Sequence, residues 1–402
     1  MSTNRARFIP DLLETHFEEL EYLWGQRRAA LKSSQLTLRD FIDLNDRVEA
    51  HVQGLLAVRS HLPKFLGQRL EEQGRDGIFA AACPLLRLAE QSTTALVLES
   101  FSTAQGQRLA GLRDAFGFAP AGLFAPTLRK LLLQGEPAQA AATAVVLANQ
   151  RMLDPATPRL MNLLVDETPE IAELAWLAIT HCDSSNLATA PARPFKQGLM
   201  HESPWVRSAA WRVAAWTRQP WVLTSLRKVA QPGDRIALEW LIALGQPEDL
   251  AQIMGLVFAM ENKIDGCALL ARFGHPKVLD LLGKWMIAED IMLASAAGEA
   301  FESLTGVDIR GSRKTAPVAD DADVFQREFA PEVWLPDLNK AKVFWQQHKQ
   351  ILASGTRWRR GIDLGRDCTL QTLNPIDLEA RWDAYARAAL AGKPLAAPTP
   401  IG

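Results

Sequence analysis

The chain has 402 residues, of which 48% are hydrophobic and 22% are charged, and its formal net charge at pH 7 is −2. This ordinary globular composition argues against disorder over most of the chain. The near balance of 44 basic and 46 acidic residues provides no general attraction to nucleic acid or to an anionic membrane. The length suffices for two or three ordinary domains or for one elongated repeat domain.

Secretion and membrane insertion are not indicated by the sequence. The first twenty residues hold no apolar core of signal-peptide length, and no stretch reaches the roughly 18 uninterrupted apolar residues of a membrane helix. The cysteines are far apart and form no CxxC pair, which is typical of free thiols in a reduced compartment; they are Cys83, Cys182, Cys267 and Cys368. We therefore expect a cytoplasmic protein with no membrane segment.

Residues 1–75 are predicted to form a helical cap. Between residues 11 and 33, apolar residues recur at spacings of three and four and so share one helix face; they are Leu13, Phe17, Leu20 and Trp24. A second helix is predicted over 38–59, after a turn-like polar segment. Its apolar side comprises Phe41, Leu44, Val48, Val52 and Leu55.

Residues 76–310 are predicted to form helical repeats, because short apolar helices alternate there with Pro, Gly, Asp or Asn. The segment 167–180 aligns with 202–215 at a shift of 35 residues without a gap, which matches Trp176 with Trp211. A helix pair of this length cannot bury its apolar face alone and must stack on its neighbours. The predicted fold class is all-α: a HEAT-like α-solenoid, a right-handed superhelix of helix pairs, with a small, mostly helical C-terminal extension.

Residues 311–325 are predicted to be a linker or exposed loop, because they are polar and contain Pro and clustered acids. The acids could attract a cation, but they lack the other oxygen ligands of an EF-hand loop, so we interpret them as solvated. They are Asp320, Asp321 and Asp323.

Residues 326–402 are predicted to form the C-terminal extension. Its expected elements are a helix over 335–352 capped near Asp337, a turn over 355–365 that could include a short strand, and a final helix over 375–392. The last ten residues are expected to be disordered unless a partner holds them. A basic and aromatic cluster at Arg357, Trp358, Arg359 and Arg360 either fixes the extension internally or contacts a partner.

Four tryptophans lie within nineteen residues near the middle of the chain. At about 100° per helical residue, Trp205 and Trp216 border the apolar stripe while Trp211 points elsewhere. Trp211 recurs as Trp176 and, in a weaker match at a shift of 29, as Trp240. An internal repeat copies packing positions, so Trp211 is predicted to pack in the seam between repeats, with a concave binding surface as the alternative. The binding candidates on this stretch are Arg207, Trp211, Arg212 and Arg218.

Motifs for catalysis or metal binding are not found: there is no HExxH, P-loop, strand-linked GxGxxG or GxSxG. His181 precedes Cys182, but adjacent helical residues point about 100° apart and do not converge on one ion. We interpret this pair as structural, with catalysis or metal binding as the alternative. His51 is interpreted as a polar residue satisfied at a helix interface, with a partner contact as the alternative. We predict no catalytic residue, no metal site and no cofactor.

Three segments together resemble an uncharacterised proteobacterial HEAT-like repeat family whose genes often occur near type VI secretion components. They are 43–58, 301–309 and 334–361. The family's C-terminal segment has a Pro-Asp, a helix with paired tryptophans and a Gly-x-Arg-Tyr turn. Here Pro336-Asp337, Phe344-Trp345 and Gly355-Thr356-Arg357-Trp358 occupy those places, with Phe for Trp and Trp for Tyr.

The resemblance implies a non-enzymatic scaffold or chaperone-like adaptor of type VI secretion. It would bind an effector, an effector adaptor or a spike-tip protein, with Trp and Arg side chains supplying most of the affinity. Three basic and aromatic residues of the extension, Arg357, Trp358 and Arg359, join the candidates of the tryptophan stretch. The alternatives are an enzyme resembling HEAT-like bilin lyases and a nucleic-acid-binding solenoid resembling the HEAT-like alkylpurine glycosylases.

Overall fold

The computed structural model describes residues 10–72, 74–182, 193–318, 321, 323–365, 368–393 and 395. These residues form mainly α-helices with a few short strands, which confirms the all-α class. They divide into two compact units: the first is the chain up to Gln219 together with Asp377–Glu379, and the second comprises Pro220–Ile376 and Ala380–Leu395. The division after Gln219 falls inside the segment that was predicted to form repeats.

The first unit contains twelve α-helices among its described residues. They are α1 Pro10–Ala30, α2 Leu38–Leu56, α3 Leu62–Gly67, α4 Arg75–Arg87, α5 Gln91–Thr103, α6 Gly106–Phe118, α7 Ala125–Gln134, α8 Pro137–Asn149, α9 Pro158–Leu163, α10 Pro169–His181, α11 Phe195–Leu199 and α12 Pro204–Trp216. Short 3₁₀ turns at Arg59–His61 and Gln68–Glu71 flank α3. The helices predicted over 11–33 and 38–59 are therefore confirmed as α1 and α2.

The longer helices of the first unit form a row. Helices α4, α6, α8, α10 and α12 each pack against the next, while α7, α9 and α11 pack respectively on α8, α10 and α12. One continuous apolar core runs through this row. Alanine-rich helix faces allow this close packing: in α8, for example, Ala140, Ala141 and Ala144 are fully buried. Helices α1 and α2 pack on one another and on α4.

Local sequence explains where these helices begin. Pro137, Pro169 and Pro204 stand in the first turns of α8, α10 and α12. Proline is favoured there because its missing N–H would have no partner inside the helix and its fixed φ suits the helix. At α2, Thr37 and Asp40 form a reciprocal capping box.

The second unit continues the alternation of short and long helices. They are α13 Val222–Val229, α14 Arg235–Leu244, α15 Leu250–Ala259, α16 Lys263–Phe273, α17 Val278–Trp285, α18 Ile291–Thr305, α19 Val324–Glu328, α20 Leu338–Ala353, α21 Leu370–Leu373 and α22 Leu378–Leu390. A 3₁₀ turn at Pro247–Asp249 precedes α15. Helix α14 packs on α16 and α16 on α18. The predicted cap at Asp337 is confirmed, because its side chain accepts hydrogen bonds from Asn339 N and Lys340 N.

The segment that was predicted to be a linker begins instead as a β-strand. Strand β1, Arg310–Thr315, pairs antiparallel with β2, Glu332–Pro336, through a bulged register. All six residues of β1 are exposed, so the strand has no alternation of apolar and polar residues to reveal it. Asp320 lies outside the described residues, as do residues 1–9 and nearly all of the C-terminal tail.

The turn predicted over 355–365 is a small hairpin of β3, Trp358–Arg359, and β4, Ile362–Asp363. It docks on two helix ends through the backbone: Trp358 N donates to Gly274 O, and Arg360 N to Ser303 O. Gly274 and Gly306 end α16 and α18 with φ values of 76° and 72°. A Cβ on either glycine would lie within 2.8 Å of the hairpin backbone. Glycine is therefore needed both for the left-handed conformation and for the close approach.

Candidate functional site

Helices α10 and α12 carry two matching stripes of side chains. At the repeat shift of 35 residues, the stripe Glu170, Leu174, Leu177 and His181 corresponds to Trp205, Ala209, Arg212 and Trp216. Residues at such spacings share one side of a helix. Helix α10 packs against α12, and the charge of Arg212 on α12 acts on His181 on α10, so we group the two stripes and call these eight residues the α10–α12 face.

The tryptophans separate into packing and surface positions. Trp211 is 4% exposed and Trp176 is fully buried, its indole N–H donating to Leu164 O at 3.1 Å. These burials agree with the seam position that the repeat predicts for Trp211. Trp205 is 62% exposed, whereas Trp216 is 7% exposed. The α10–α12 face therefore has one exposed tryptophan, Trp205, and one buried tryptophan, Trp216.

Arg212 is a half-buried cation of this face. Its guanidinium carbon lies 5.9 Å from the ring centroid of Trp216. Within the described part of the chain, no carboxylate lies within ion-pair distance of this guanidinium and no hydrogen bond engages it. Burial lowers the pKa of Arg212 to about 10, opposed by the negative charge of Glu173. Its N–H donors are therefore not used by any residue of the described ranges.

His181, in the last turn of α10, is the neighbouring polar group. Its Nε2 atom is buried and accepts or donates no hydrogen bond among the described residues. Burial, with the positive charges of Arg212 and Arg113, lowers the pKa of His181 to about 3. The imidazole is therefore neutral at physiological pH. The adjacent Cys182 Sγ donates to Ala178 O at 3.5 Å, and burial raises the pKa of this thiol to about 11, so Cys182 is not a ready thiolate.

The depressed pKa of His181 predicts a pH dependence of stability. Between pH 6.5, the usual pKa, and about 3 in the folded protein, the unfolded chain binds more protons at this position than the folded chain. Stability should therefore fall as the pH falls below 6.5, by up to about 1.4 kcal/mol per pH unit for this group. In urea unfolding between pH 7 and 5, we expect His181→Gln to flatten that slope.

The control for this prediction is His61→Gln, which removes an exposed histidine of the same unit. An unchanged slope in His181→Gln would show that another group causes the loss of stability in acid. Equal flattening by both substitutions would show that the burial of His181 is not the cause.

Glu173 is a half-buried acid in the second turn of α10. Burial raises the pKa of Glu173, although Arg113, Lys32 and Arg212 each lower it. Eight residues separate Glu173 from His181, which is about 12 Å along a helix. Arg212 therefore experiences the negative charge of Glu173 and itself acts on the neutral imidazole of His181.

The other two candidate arginines of the tryptophan stretch have different surroundings. Arg207 is half-buried and donates from Nη1 to the carbonyls of His201 and Glu202, at 2.9 and 2.8 Å, so it holds the loop that precedes α12. Arg218 is exposed just after α12, with a positive φ of 57°. Arg212 alone of these three lies on the α10–α12 face.

A buried carboxylate links α4 and α6. Asp114 accepts hydrogen bonds from Arg75 Nε at 2.7 Å and from Arg113 Nη2 at 2.8 Å. Burial alone would raise the pKa of Asp114, but the charges and hydrogen bonds of Arg113 and Arg75 lower it below its usual value. The guanidinium of Arg113 is therefore paired with Asp114, and it influences the α10–α12 face through its charge, which lowers the pKa of His181.

The arginine cluster of the second unit is also structural. Arg357 donates from Nη1 to Ile242 O at 3.1 Å and from Nη2 to Gly245 O at 2.7 Å, at the carboxyl end of α14. Arg387 donates to Ala243 O at 2.9 Å, and Arg272 pairs with Asp383. These groups satisfy helix-terminal carbonyls and complement the negative end of the helix dipole.

Three of the sequence candidates belong to this cluster. Arg357, Trp358 and Arg359 are each less than a tenth exposed. Together with Trp211, these predicted contact residues have buried side chains, which makes them packing residues and not surface contacts.

The structure also places His51 at a helix interface, as expected. His51 Nδ1 lies 3.1 Å from His16 Nδ1, between α1 and α2. Burial and the neighbouring His16 lower the pKa of His51. Gly54 leaves room for this pair, because a Cβ there would lie 2.5 Å from the His16 ring.

Sequence reasoning did not predict that His181 and Arg212 share one face. A signal for it was present in the repeat register, since Arg212 stands where the preceding repeat has Leu177. When one repeat has a charged residue where the preceding repeat has an apolar one, that residue is expected to have a role that the preceding repeat lacks. His181 was considered only with its chain neighbour Cys182.

No group of three or more His, Cys, Asp or Glu side chains in the described ranges is arranged to hold a metal ion. Across the same residues, no helix has both the length and the apolar character that a membrane crossing requires. Comparison of the chain with protein-family models and with curated proteins gives no match.

Proposed function

We propose that this protein is a non-enzymatic scaffold or chaperone-like adaptor that binds a protein partner on the α10–α12 face. The observation that carries the proposal is the composition of that face. It combines the exposed Trp205, the half-buried Leu174 and Leu177, and an arginine without an acidic partner among the described residues. Tryptophan and arginine are the residues most enriched among those that dominate protein–protein affinity.

The architecture proposed for this role is a HEAT-like α-solenoid, a right-handed superhelix of helix pairs. It is supported by the gapless internal repeat at 167–180 and 202–215. It is also supported by the packing of short helices on successive long ones within each unit. Stacked repeats suit a binding scaffold because they present an extended surface from which several side chains can contact one partner.

The biological setting proposed is type VI secretion in the bacterial cytoplasm. The support is the sequence resemblance of segments 43–58, 301–309 and 334–361 to a repeat family encoded near those secretion genes. The partner would then be an effector, an effector adaptor or a spike-tip protein, held non-covalently before export.

The test is affinity purification of the tagged chain from its own bacterium under secretion-active conditions, with quantitative mass spectrometry. We expect a secretion-cluster protein to be recovered in a fixed ratio with the wild type and at least tenfold less with Trp205→Ala. Trp205 is mostly exposed, so its removal should leave the fold intact. Tyr22→Ala, at a 61% exposed aromatic on α1, is the matched control and should retain the partner.

Two outcomes would contradict the proposal. One is that no secretion-cluster protein is recovered with the wild type. The other is that Trp205→Ala and Tyr22→Ala retain the partner equally, which would move the binding surface away from the α10–α12 face.

A further inference from the structure

The outer edge of the β1–β2 strand pair is an exposed surface of the second unit. Among the described residues, β1 pairs with β2 alone, and all six residues of β1 are exposed. A strand with a neighbour on one side only has backbone N–H and C=O groups directed outward on its other side. This edge shares no residue with the α10–α12 face.

The register of the pair identifies the backbone groups that point outward. Ala316 N donates to Pro331 O at 2.8 Å, and the three residues before Ala316 pair with β2 in the same register. In an antiparallel pair, residues bonded to the partner strand alternate with residues whose N–H and C=O face away from it. Lys314 therefore bonds to β2, while the backbone N–H and C=O groups of Arg313 and Thr315 face outward.

The edge is closed at one end and open at the other. At the closed end, Arg310 N donates to Asp308 Oδ1 and Arg310 O accepts from Lys340 Nζ, both at 2.9 Å. At the open end, the backbone groups of Arg313 and Thr315 form no hydrogen bond with a described residue outside the strand pair. These two residues are separated by one inward-bonded residue, which is the spacing at which an added antiparallel strand forms its bonds.

The charged side chains of β1 are all positive, and they are Arg310, Arg313 and Lys314. Arg310 and Arg313 form ion pairs with acids outside β1, at distances between 3.1 and 3.6 Å. Lys314 forms no ion pair with a described residue. Opposite charges that face one another on adjacent strands are stabilising, so this edge favours an added strand with acidic side chains.

The same charges disfavour a second copy of the chain as the occupant. If β1 paired with β1 of another copy around a twofold axis, Arg313 and Lys314 would face basic residues, and like charges directly opposite one another are destabilising. Nucleic acid is disfavoured for another reason. Its phosphates accept hydrogen bonds but donate none, so they would leave the outward carbonyls of Arg313 and Thr315 without a donor.

We propose that the open edge at Arg313–Thr315 binds an extended acidic segment of a partner protein as a third strand. Backbone hydrogen bonds to Arg313 and Thr315 supply the affinity, and acidic side chains near Arg313 and Lys314 supply the selectivity. The bulge between Arg310 and Arg313 confines the added strand to the open end, because it interrupts the regular spacing of the backbone groups. This contact is additional to the one proposed on the α10–α12 face.

The test measures binding of fluorescein-labelled, amidated octapeptides to the full chain by fluorescence polarisation at low salt. The probe is (Glu-Thr)4, in which the threonines favour an extended strand. The control is (Lys-Thr)4, which has the opposite charge and the same pattern. We expect (Glu-Thr)4 to bind at least tenfold more tightly than (Lys-Thr)4.

Three variants locate the peptide on the edge. Thr315→Pro removes the outward N–H and breaks no bond to β2, since proline is tolerated on an edge strand, and it should weaken binding at least fivefold. Thr315→Val keeps the N–H and is the matched control, with an affinity within twofold of the wild type. Lys314→Glu reverses a charge that has no acidic partner among the described residues and should weaken binding at least threefold. Circular dichroism and thermal melting show whether each variant is folded.

Residue-resolved hydrogen exchange of the wild type tests the edge without any substitution. In the free protein, the amides of Arg313 and Thr315 should exchange faster than those of Lys314 and Ala316, which bond to β2. A saturating concentration of (Glu-Thr)4 should slow the exchange of the first two at least tenfold. Slow exchange of Arg313 and Thr315 in the free protein would show that the edge is already covered and would overturn the proposal.

Other results would also overturn it. These are the absence of (Glu-Thr)4 binding, equal losses in Thr315→Pro and Thr315→Val, binding of (Lys-Thr)4 as tight as that of (Glu-Thr)4, or displacement of the probe by oligothymidylate at a lower concentration than by unlabelled (Glu-Thr)4. A dimer in analytical ultracentrifugation that Thr315→Pro dissociates would assign the edge to a second copy.

Trp205→Ala separates this inference from the proposed function. That variant should bind (Glu-Thr)4 with the affinity of the wild type, and a loss of binding would place the peptide on the α10–α12 face. If the wild type recovers the secretion-cluster protein from its host but does not bind (Glu-Thr)4, the strand inference is wrong and the proposed function stands.

Discussion

Asp114→Ala is expected to lower the free energy of unfolding of the first unit by about 3–5 kcal/mol, which is the cost of leaving buried charges without their partner. The Asp114 side chain is 1% exposed and pairs with Arg75 and Arg113, whose side chains are 22% and 10% exposed. Removing the carboxylate leaves two largely buried guanidinium groups uncompensated. It also removes an acceptor of the indole N–H of Trp24, at 3.4 Å.

Urea unfolding followed by circular dichroism checks this value, with hydrogen exchange of α4 and α6 to locate the effect. Glu90→Ala is the control, because it breaks an ion pair with Arg59 whose side chains are 62% and 48% exposed. Such a pair should contribute less than about 1 kcal/mol. Similar losses in the two variants would mean that burial does not set the strength of the Asp114 pairs.

Arg357→Met is expected to lower the free energy of unfolding of the second unit by about 2–5 kcal/mol. The substitution leaves the carbonyls of Ile242 and Gly245 without their side-chain donor, and each orphaned buried group costs about 1–3 kcal/mol. It also removes the guanidinium that lies 5.0 Å from the Phe273 ring centroid. Arg357→Lys should recover less than half of the loss, since an ammonium on a single stem does not reproduce the fork between two carbonyls.

Thermal and urea unfolding of these variants provide the measurement, and Arg313→Met is the control. Arg313 pairs with Glu332 across the β1–β2 strand pair, and both side chains are 56% exposed. Its loss should cost less than about 1 kcal/mol. If Arg357→Met were as stable as the wild type but failed to bind the partner, Arg357 would be a contact residue and its structural role would be wrong.

The local features of this fold could be predicted because they depend on residues close together in the chain. Helix starts follow from proline in the first turn and from side-chain caps such as Asp337. The repeat could be found because it copies positions at a constant shift. The strand β1 could not be predicted, because its six exposed residues pair through the backbone and carry no apolar pattern.

The candidate site could be predicted only in part. Arg212 was among the predicted contact residues and does lie on the α10–α12 face. His181 was not connected with it, because they are 31 residues apart and meet only through the packing of α10 on α12. Glu173 was not considered, because a single acid in a helix is normally solvated.

By itself, the sequence determined the helical class, the places of the first two and of two C-terminal helices, and the repeat register, because these depend on short-range propensity and periodicity. Only the tertiary structure decided which arginines have donors available. Arg212 and Arg357 both occur near tryptophans and looked equivalent. Arg357 donates to carbonyls 115 and 112 residues away in sequence, whereas Arg212 lies over the ring of Trp216 and has no hydrogen bond or ion pair among the described residues. The difference arises because contacts between distant segments set the partners of a charge, and no local pattern encodes them.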